Sequence, residues 1–212
     1  MNNNFIKSYF KNGNIMRVFY NYLPNEFAEV ENIISDWRAL IKSTDFTLGT
    51  YVDTFEHEFK NFVGAKYCIS TNNGTDALIL ALKSLGIGNG DEVITVGNTF
   101  YATVGAIVAV GAIPVLIDSD DRFQINIEKI EDNITPLTKA IIPVHWGGAS
   151  PDMHKILTIA DKYNLKVIED ACMAIGAKID GIIINDLDTS KDSYYNYNYN
   201  YNYNYSNRYN KS

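Results

Sequence analysis

Residues 90–118 read GDEVITVGNTFYATVGAIVAVGAIPVLID, and their pattern of apolar residues decides the fold class. Two short apolar runs, residues 92–96 and 115–118, are predicted strands, and the longer apolar stretch at 102–110 between them is a predicted helix. Strands that alternate with helices in this way lie parallel to one another in a sheet. This stretch therefore predicts an α/β fold.

The same alternation extends in both directions along the chain. Runs such as EVITV, PVLID and AIIPV carry apolar residues on both faces, which is typical of strands covered by helices on both sides of the sheet. We therefore expect a three-layer architecture with a mostly parallel sheet. The further predicted strands are residues 66–70, 140–145 and 166–169, and the further predicted helices are 26–41 with Asn25 as its cap, 52–62 ending at Gly64, 75–85, 127–134 and 152–163.

The sequence changes character near its end, where residues 194–205 read YYNYNYNYNYNY. A Tyr/Asn repeat without any aliphatic residue predicts a disordered, low-complexity tail. Two other interpretations stay open: an element for self-association, and an accidental repeat such as a frame slip in a repetitive gene would produce. The predicted organisation is an N-terminal extension at 1–20, a globular part at 21–185 and the Tyr/Asn-rich tail at 186–212. Met16 is an alternative start.

The chain has 212 residues and a net charge of −7, with 46% hydrophobic and 20% charged residues. This composition is typical of a soluble globular protein, and the acidic balance argues against a nucleic-acid partner, which is bound by clustered Lys and Arg. The first residues lack the apolar core of a signal peptide, and no membrane class is indicated, so we expect a cytoplasmic location. Cys68 and Cys172 lack metal-site spacing and are expected to be buried free thiols in a reducing compartment.

A loop with a glycine leads into a predicted helix at NGTDALILAL, residues 73–82. Unpaired N–H groups in the first turn, with Gly74, the Thr75 hydroxyl and Asp76 beside them, would form a phosphate cradle. The simpler interpretation is a helix start capped by Thr75 or Asn73. Neither G-x-G-x-x-G nor G-K-[ST] occurs, so the sequence contains no dinucleotide fingerprint and no Walker loop.

Two further candidate residues follow predicted strands. Asp170 comes after KVIE, and ligands of open parallel sheets collect at the carboxyl ends of strands. A carboxylate there would pair with the protonated nitrogen of a pyridine cofactor, although Asp is also a common turn or capping residue. Phe100, in the loop after EVITV, would stack on an aromatic cofactor or else pack in the core.

Seven motifs occur in order along the chain. They are FTLG (46–49), NGTDALILAL (73–82), GDEVITV (90–96), TFYAT (99–103), GAIPVLID (111–118), TKAIIPVHWGG (138–148) and IEDACMAIGA (168–177). Together they resemble the DegT/DnrJ/EryC1/StrS family, the sugar aminotransferases that use pyridoxal 5′-phosphate (PLP), over residues 21–181. The resemblance implies that residues 21–185 form part of the large domain of a fold-type I PLP-dependent transferase.

The resemblance also implies roles for individual residues. In the family the positions of Gly74, Thr75 and Asp76 hold the PLP phosphate. The aromatic residue of the T-[FW]-x-A-T motif, here Phe100, stacks on the pyridine ring, and the aspartate after the strand, here Asp170, pairs with the ring nitrogen. The implied reaction is amino transfer from glutamate to a nucleotide-linked keto sugar, carried out by a homodimer.

Two departures from the family pattern argue against activity. Met173 stands where the family has a Gln that contacts the phenolic oxygen of the cofactor, and a thioether makes no normal hydrogen bond there. The family's S-F-x-x-x-K motif, whose lysine forms the Schiff base with PLP, is missing, and neither Lys178 nor Lys191 lies in a matching context. We therefore expect a large domain that is incomplete at its C-terminus and truncated before the catalytic lysine. His145, in PVHWGG, receives no role.

Three hypotheses follow for the function of the chain. The first is a nucleotide-sugar aminotransferase sequence that binds PLP weakly and is inactive alone. The second is a non-catalytic fragment or frame-shifted paralogue that acts, if at all, by pairing with another chain. The third, a nicotinamide-binding Rossmann module, is disfavoured because the glycine fingerprint is absent.

Overall fold

The structure is a computed structural model, and it describes residues 27–179, 182–183 and 194–197. The chain forms two compact units, Met1–Tyr51 and Val52–Ser212. The predicted extension at 1–20 and both predicted domain boundaries lie outside the described residues, so these assignments stay predictions.

Helix α1, Val30–Ser43, belongs to the first unit. It begins later than the predicted residue 26, with Glu29 as its N-cap, and the predicted cap Asn25 lies outside the described residues. The helix ends at Thr44, whose φ of 57° is left-handed and whose N–H bonds back to the last turn. The chain is thereby turned out of the helix direction directly after α1.

Helix α2, Thr50–Val63, covers the predicted 52–62 and ends at Gly64, which has a φ of 75°. The predicted strand at 66–70 is wrong, since these residues pair with none of the described strands. Instead, the Ser70 N–H donates to the Glu56 carboxylate at 2.6 Å. A strand depends on a neighbour that supplies its hydrogen bonds, and local sequence does not reveal whether that neighbour is available.

Five parallel strands form the main sheet of the second unit, in the order β2-β1-β3-β4-β7. A two-stranded antiparallel pair, β5 with β6, stands apart from it. The predicted strands and helices between residues 75 and 169 are confirmed, with the exception of 127–134. The bounds are α3 Gly74–Ser84, β1 Glu92–Val96, α4 Tyr101–Ala109, β2 Ile113–Ile117, β3 Thr138–Ile142, α5 Met153–Tyr163, β4 Lys166–Asp170, β5 Lys178–Ile179, β6 Ile182–Ile183 and β7 Tyr194–Tyr197.

Residues 127–134 differ from the predicted helix. They form two 3₁₀ turns, Ile127–Lys129 and Glu131–Asn133, with the fully buried Ile130 between them. Pro136 follows shortly afterwards, and proline lacks the N–H that would continue a helix. The segment is therefore too short for a stable α-helix, and tight 3₁₀ turns bury its isoleucine instead.

Residues 194–197 differ from the predicted disordered tail, because they form strand β7 alongside β4. In the register of this pair, Asp170 is opposite Tyr197. The outer edge of β4 offers unpaired N–H and C=O groups, and a segment rich in Tyr with period-two alternation is suited to pair with such an edge. The rest of the predicted tail, 186–212, lies outside the described residues.

Successive residues of the strands point to opposite sides of the sheet, and each side has its own core. The side covered by α3 and α4, here called the α3/α4 face, buries Val93 and Ile142. The side covered by α5, the α5 face, buries their neighbours Ile94 and Ile141. The sheet thus lies between two helical layers, which confirms the predicted three-layer architecture. None of the described helices is long and apolar enough to cross a membrane.

The substitution Ile142→Ala is expected to lower the free energy of unfolding by about 2–5 kcal/mol, because Ile142 is fully buried and its truncation leaves a cavity. Ile113→Ala is the matched control. Ile113 lies on the edge strand β2 and is 49% exposed, so the same truncation costs clearly less. Urea unfolding followed by circular dichroism measures both changes. Equal losses for the two variants would contradict this assignment of the core.

Candidate cofactor-binding site

A cleft lies at the carboxyl end of the sheet on the α3/α4 face. The space between its walls, part of which is open to solvent, is about 310 Å³. Three of the predicted cofactor residues, Gly74, Phe100 and Asp170, meet in its wall although they are far apart in sequence. The lining consists of Gly74, Ala77, Leu78, Phe100, Ala102, Asp170 and Cys172.

The N-terminus of α3 forms one wall of the cleft. Asn73 caps the helix, since its Oδ1 accepts from the Asp76 N–H at 2.9 Å, while its Nδ2 donates to the Asp76 carboxylate at 2.8 Å. The N–H groups of Gly74 and Thr75 precede the first intrahelical bond and point out of the helix start. Thr75 and Asp76 lie in this first turn and are not among the lining residues. The Asn73 cap therefore does not exclude the predicted phosphate cradle in the same turn.

Asp170 is the last residue of β4 and is only 7% exposed. Its neighbour Ile168 packs in the core of the α3/α4 face, and the alternation of the strand sends the Asp170 side chain to the same face. There the buried Thr103, in the first turn of α4, donates its hydroxyl to Oδ2 of Asp170 at 2.7 Å. Thr99 lies 2.8 Å from the Thr103 hydroxyl and continues the chain of hydrogen bonds.

Phe100 is the N-cap residue of α4 and is 53% exposed, so the alternative of core packing is wrong. Its ring centroid lies 4.2 Å from that of Tyr101, with 46° between the ring planes. An exposed aromatic ring at the wall of a cleft offers an apolar face to a flat ligand.

Cys172 lines the same cleft and is a free, half-buried thiol. Burial, and secondarily the charge and hydrogen bonding of Asp170, raise the pKa of the Cys172 thiol to about 12. Cys68 is also free and half-buried, and burial, with Glu56 second, raises its pKa. The predicted free thiols are confirmed, although neither side chain is completely buried.

The sequence analysis assigned none of Thr99, Thr103 and Cys172 to the candidate site. The two threonines stand four residues apart in TFYAT at the start of a predicted helix, and this spacing was the available signal for a pair on one side of α4.

Met173, where the family pattern has Gln, is 51% exposed and outside the lining. Lys178 is on β5 and also outside the lining, whereas Lys191 lies beyond the described residues.

The sequence profile of the DegT/DnrJ/EryC1/StrS aminotransferase family matches residues 28–197, a range that includes every lining residue of the cleft. The chain belongs to this family. DegT/DnrJ/EryC1/StrS proteins with curated functions include several sugar aminotransferases that resemble the chain closely.

The 3-oxo-glucose-6-phosphate:glutamate aminotransferase of Bacillus subtilis (strain 168) is 44% identical over 149 residues, which are 70% of this chain and 34% of that protein. The dTDP-3-amino-3,6-dideoxy-alpha-D-galactopyranose transaminase of Aneurinibacillus thermoaerophilus is 50% identical over 143 residues, 67% of this chain and 39% of that protein. The chain thus spans well under half the length of these two relatives.

Solved structures of the family show the same architecture. The crystal structure of NtdA from Bacillus subtilis with bound cofactor PMP has a TM-score of 0.75 and 39% identity, covering 84% of this chain and 42% of that one. DesV from S. venezuelae in complex with a ketimine intermediate has a TM-score of 0.73 and 35% identity, covering 80% of this chain and 46% of that one. The α/β fold predicted from sequence is confirmed by these neighbours.

Iodoacetamide is expected to alkylate Cys172 slowly at pH 8. Only the thiolate reacts, and a pKa of about 12 leaves roughly one thiol in ten thousand deprotonated. Because the pKa lies above the tested range, the rate is expected to keep rising between pH 7 and pH 10. Asp170→Asn removes the negative charge beside the thiol and is expected to accelerate alkylation several-fold.

Cys68 supplies the internal control for this experiment, since Glu56 and not Asp170 is the charged neighbour that raises its pKa. Mass spectrometry of the two cysteine peptides follows both rates in one sample. Equal acceleration at Cys68 and Cys172 in the Asp170→Asn variant would indicate general loosening of the fold rather than the described contact.

Proposed function

We propose that the 212 residues provide the phosphate-binding and pyridine-binding part of a PLP site from a nucleotide-sugar aminotransferase, and that this polypeptide alone does not transfer amino groups. The family activity to which the site belongs is amino transfer from glutamate to a nucleotide-linked keto sugar. One observation carries the proposal: the buried carboxylate of Asp170, held by Thr103, lies in the same cleft as the exposed ring of Phe100 and the start of α3.

The chemistry of the cleft fits PLP at three points. The free N–H groups of Gly74 and Thr75 and the positive end of the helix dipole suit a phosphate. The exposed face of Phe100 suits stacking on a pyridine ring. The carboxylate of Asp170 suits a protonated ring nitrogen, and bound PLP supplies an electron sink for the amino carbon of the substrate.

Each of these residues has its own role in the proposed binding of PLP. The Thr75 hydroxyl adds a donor at the phosphate end, and Asp76 closes the cap with Asn73 so that the first turn of α3 keeps its shape. Asp170 holds the proton on the ring nitrogen. Thr103 fixes the orientation of that carboxylate through Oδ2.

The proposal that this polypeptide alone does not transfer amino groups rests on the positions of its lysine residues. No lysine is among the described residues that line the cleft, and the 212 residues contain no S-F-x-x-x-K sequence. Without a covalent link, PLP is retained by the phosphate contacts, the stacking and the Asp170 pair alone. We therefore expect weak, reversible binding of PLP.

A second candidate function is pairing with another chain, either a second copy or one that carries the lysine. Helices α3 and α4 expose large apolar side chains, Leu80, Tyr101 and Val108, each more than half accessible to solvent. Exposed apolar groups of this kind favour a protein partner. Light scattering on the purified chain tests this candidate, which a well-dispersed monomer with one cooperative thermal transition would contradict.

Titration with PLP, followed by equilibrium dialysis, tests the cofactor site. Asp170→Asn and Phe100→Ala are each expected to weaken binding by about tenfold, since each removes a contact worth roughly 1–1.5 kcal/mol. Phe123→Ala is the matched control, because Phe123 is equally aromatic, 62% exposed and outside the cleft. Unchanged affinity in both cleft variants would refute the assignment of the site.

Activity is tested separately with glutamate and a nucleotide-linked keto sugar, and mass spectrometry detects the amino sugar. We expect no product from the purified polypeptide alone with added PLP. Formation of amino sugar under these conditions would overturn the proposal of inactivity while leaving the assignment of the cofactor site intact.

A further inference from the structure

His145 and Glu169 form a fully buried pair behind the cofactor cleft. Nε2 of His145 lies 2.7 Å from Oε2 of Glu169, and both side chains have no exposed surface. The two atoms are at ion-pair distance, although their alignment falls short of a regular hydrogen bond. Glu169 follows Ile168 in β4, so its side chain points to the α5 face, opposite to Asp170.

The same two chain segments are also joined through their main chains. The Asp170 N–H donates to the Pro143 carbonyl at 3.0 Å, and the His145 N–H donates to the Asp170 carbonyl at 3.0 Å. These bonds form a parallel bridge between Val144 and Asp170, just beyond the paired part of β3 and β4. The side-chain pair thus spans the same junction as the two main-chain bonds, one residue before the cofactor aspartate.

Separation of the two buried side chains would be unfavourable. Burial raises the pKa of the Glu169 carboxyl, and the interaction with His145 opposes that rise. Contact with the imidazole gives the buried carboxyl group a polar neighbour, whereas separation would remove that neighbour from a group with no exposed surface. Any shift of β4 against the segment after β3 would break this contact.

We propose that the His145–Glu169 pair is a positioning device that fixes the end of β4 and thereby directs the Asp170 carboxylate into the cofactor cleft. Glu169 and Asp170 are consecutive residues of one strand, so a strand that rotates or slides moves both side chains together. Holding Glu169 on the α5 face therefore holds Asp170 on the α3/α4 face. The inference rests on the proposed function, in which Asp170 pairs with the ring nitrogen of PLP.

The first experiment needs no cofactor. In the double variant His145→Leu/Glu169→Leu, apolar groups of similar volume replace the pair, a change that often leaves stability nearly unaltered. We expect the amide protons of Asp170 and His145 to exchange at least tenfold faster, as measured by NMR, while those of Val93 and Ile94 in the middle of β1 are unchanged. Glu169→Gln keeps a hydrogen-bonding partner for His145. In this variant the amide protons of Asp170 and His145 are expected to exchange at nearly the rate found in the unmodified chain.

Two results of this first experiment would overturn the proposal. One is unchanged protection of the Asp170 and His145 amides, and the other is faster exchange throughout the sheet, which indicates a pair that only stabilises the fold. If the double variant does not fold, Glu169→Leu provides the same comparison, because it removes the carboxyl partner that Glu169→Gln replaces with an amide.

The second experiment asks whether the effect reaches the cofactor. The affinity for PLP is compared with that for an analogue in which carbon replaces the ring nitrogen, so that only PLP uses Asp170. We expect the double variant to lose the preference for PLP to the same extent as Asp170→Asn, with the affinity for the analogue unchanged. Equal weakening of both ligands would contradict a positioning role.

The two experiments separate this inference from the proposed function. If the unmodified chain does not distinguish PLP from the analogue, the role of Asp170 in the proposed function fails. Amide exchange in the same protein still decides whether the His145–Glu169 pair fixes the end of β4.

Discussion

Two consecutive carboxyl groups at the end of β4 set the strongest constraint on this structure. The alternation of a strand sends Asp170 to the α3/α4 face and Glu169 to the α5 face, and both are buried. A buried carboxyl group without a partner is costly, so each needs a polar neighbour from another part of the chain. Thr103 meets the first need and His145 the second. This requirement fixes the positions of the start of α4, which carries Thr103, and of the segment after β3, which carries His145.

The topology brings the other parts of the site to the same edge. Parallel strands joined by helices place the starts of those helices near the carboxyl ends of the strands, where ligands of such sheets collect. In this chain α3 and α4 begin at that edge, and their first residues contribute Gly74 and Phe100 to the cleft. A helix start, an aromatic ring and a carboxylate are therefore adjacent because of the strand order.

Local sequence predicted what local interactions determine. The strand at Glu92–Val96 and the helix at Gly74–Ser84 follow from apolar runs and an Asn cap, and Gly74, Phe100 and Asp170 were found because each stands where a strand or helix begins or ends. The predictions that failed concern segments whose structure depends on partners distant in the sequence. Residues 66–70 have strand composition without a described neighbour, and Tyr194–Tyr197 gains one from the edge of β4. The contact between Thr103 and Asp170 joins residues 67 positions apart, which no local pattern reports.

The two carboxyl groups at the end of β4 have partners of different chemistry. Thr103 is neutral, so it orients the Asp170 carboxylate and leaves its negative charge available to a cation in the cleft. An Arg or Lys in that position would neutralise the charge and compete with a protonated ring nitrogen. Glu169 lies on the face opposite the cleft, and there the imidazole of His145 is its neighbour at 2.7 Å. A hydroxyl on the cleft side and an imidazole on the opposite side thus place two adjacent carboxyl groups in different chemical surroundings.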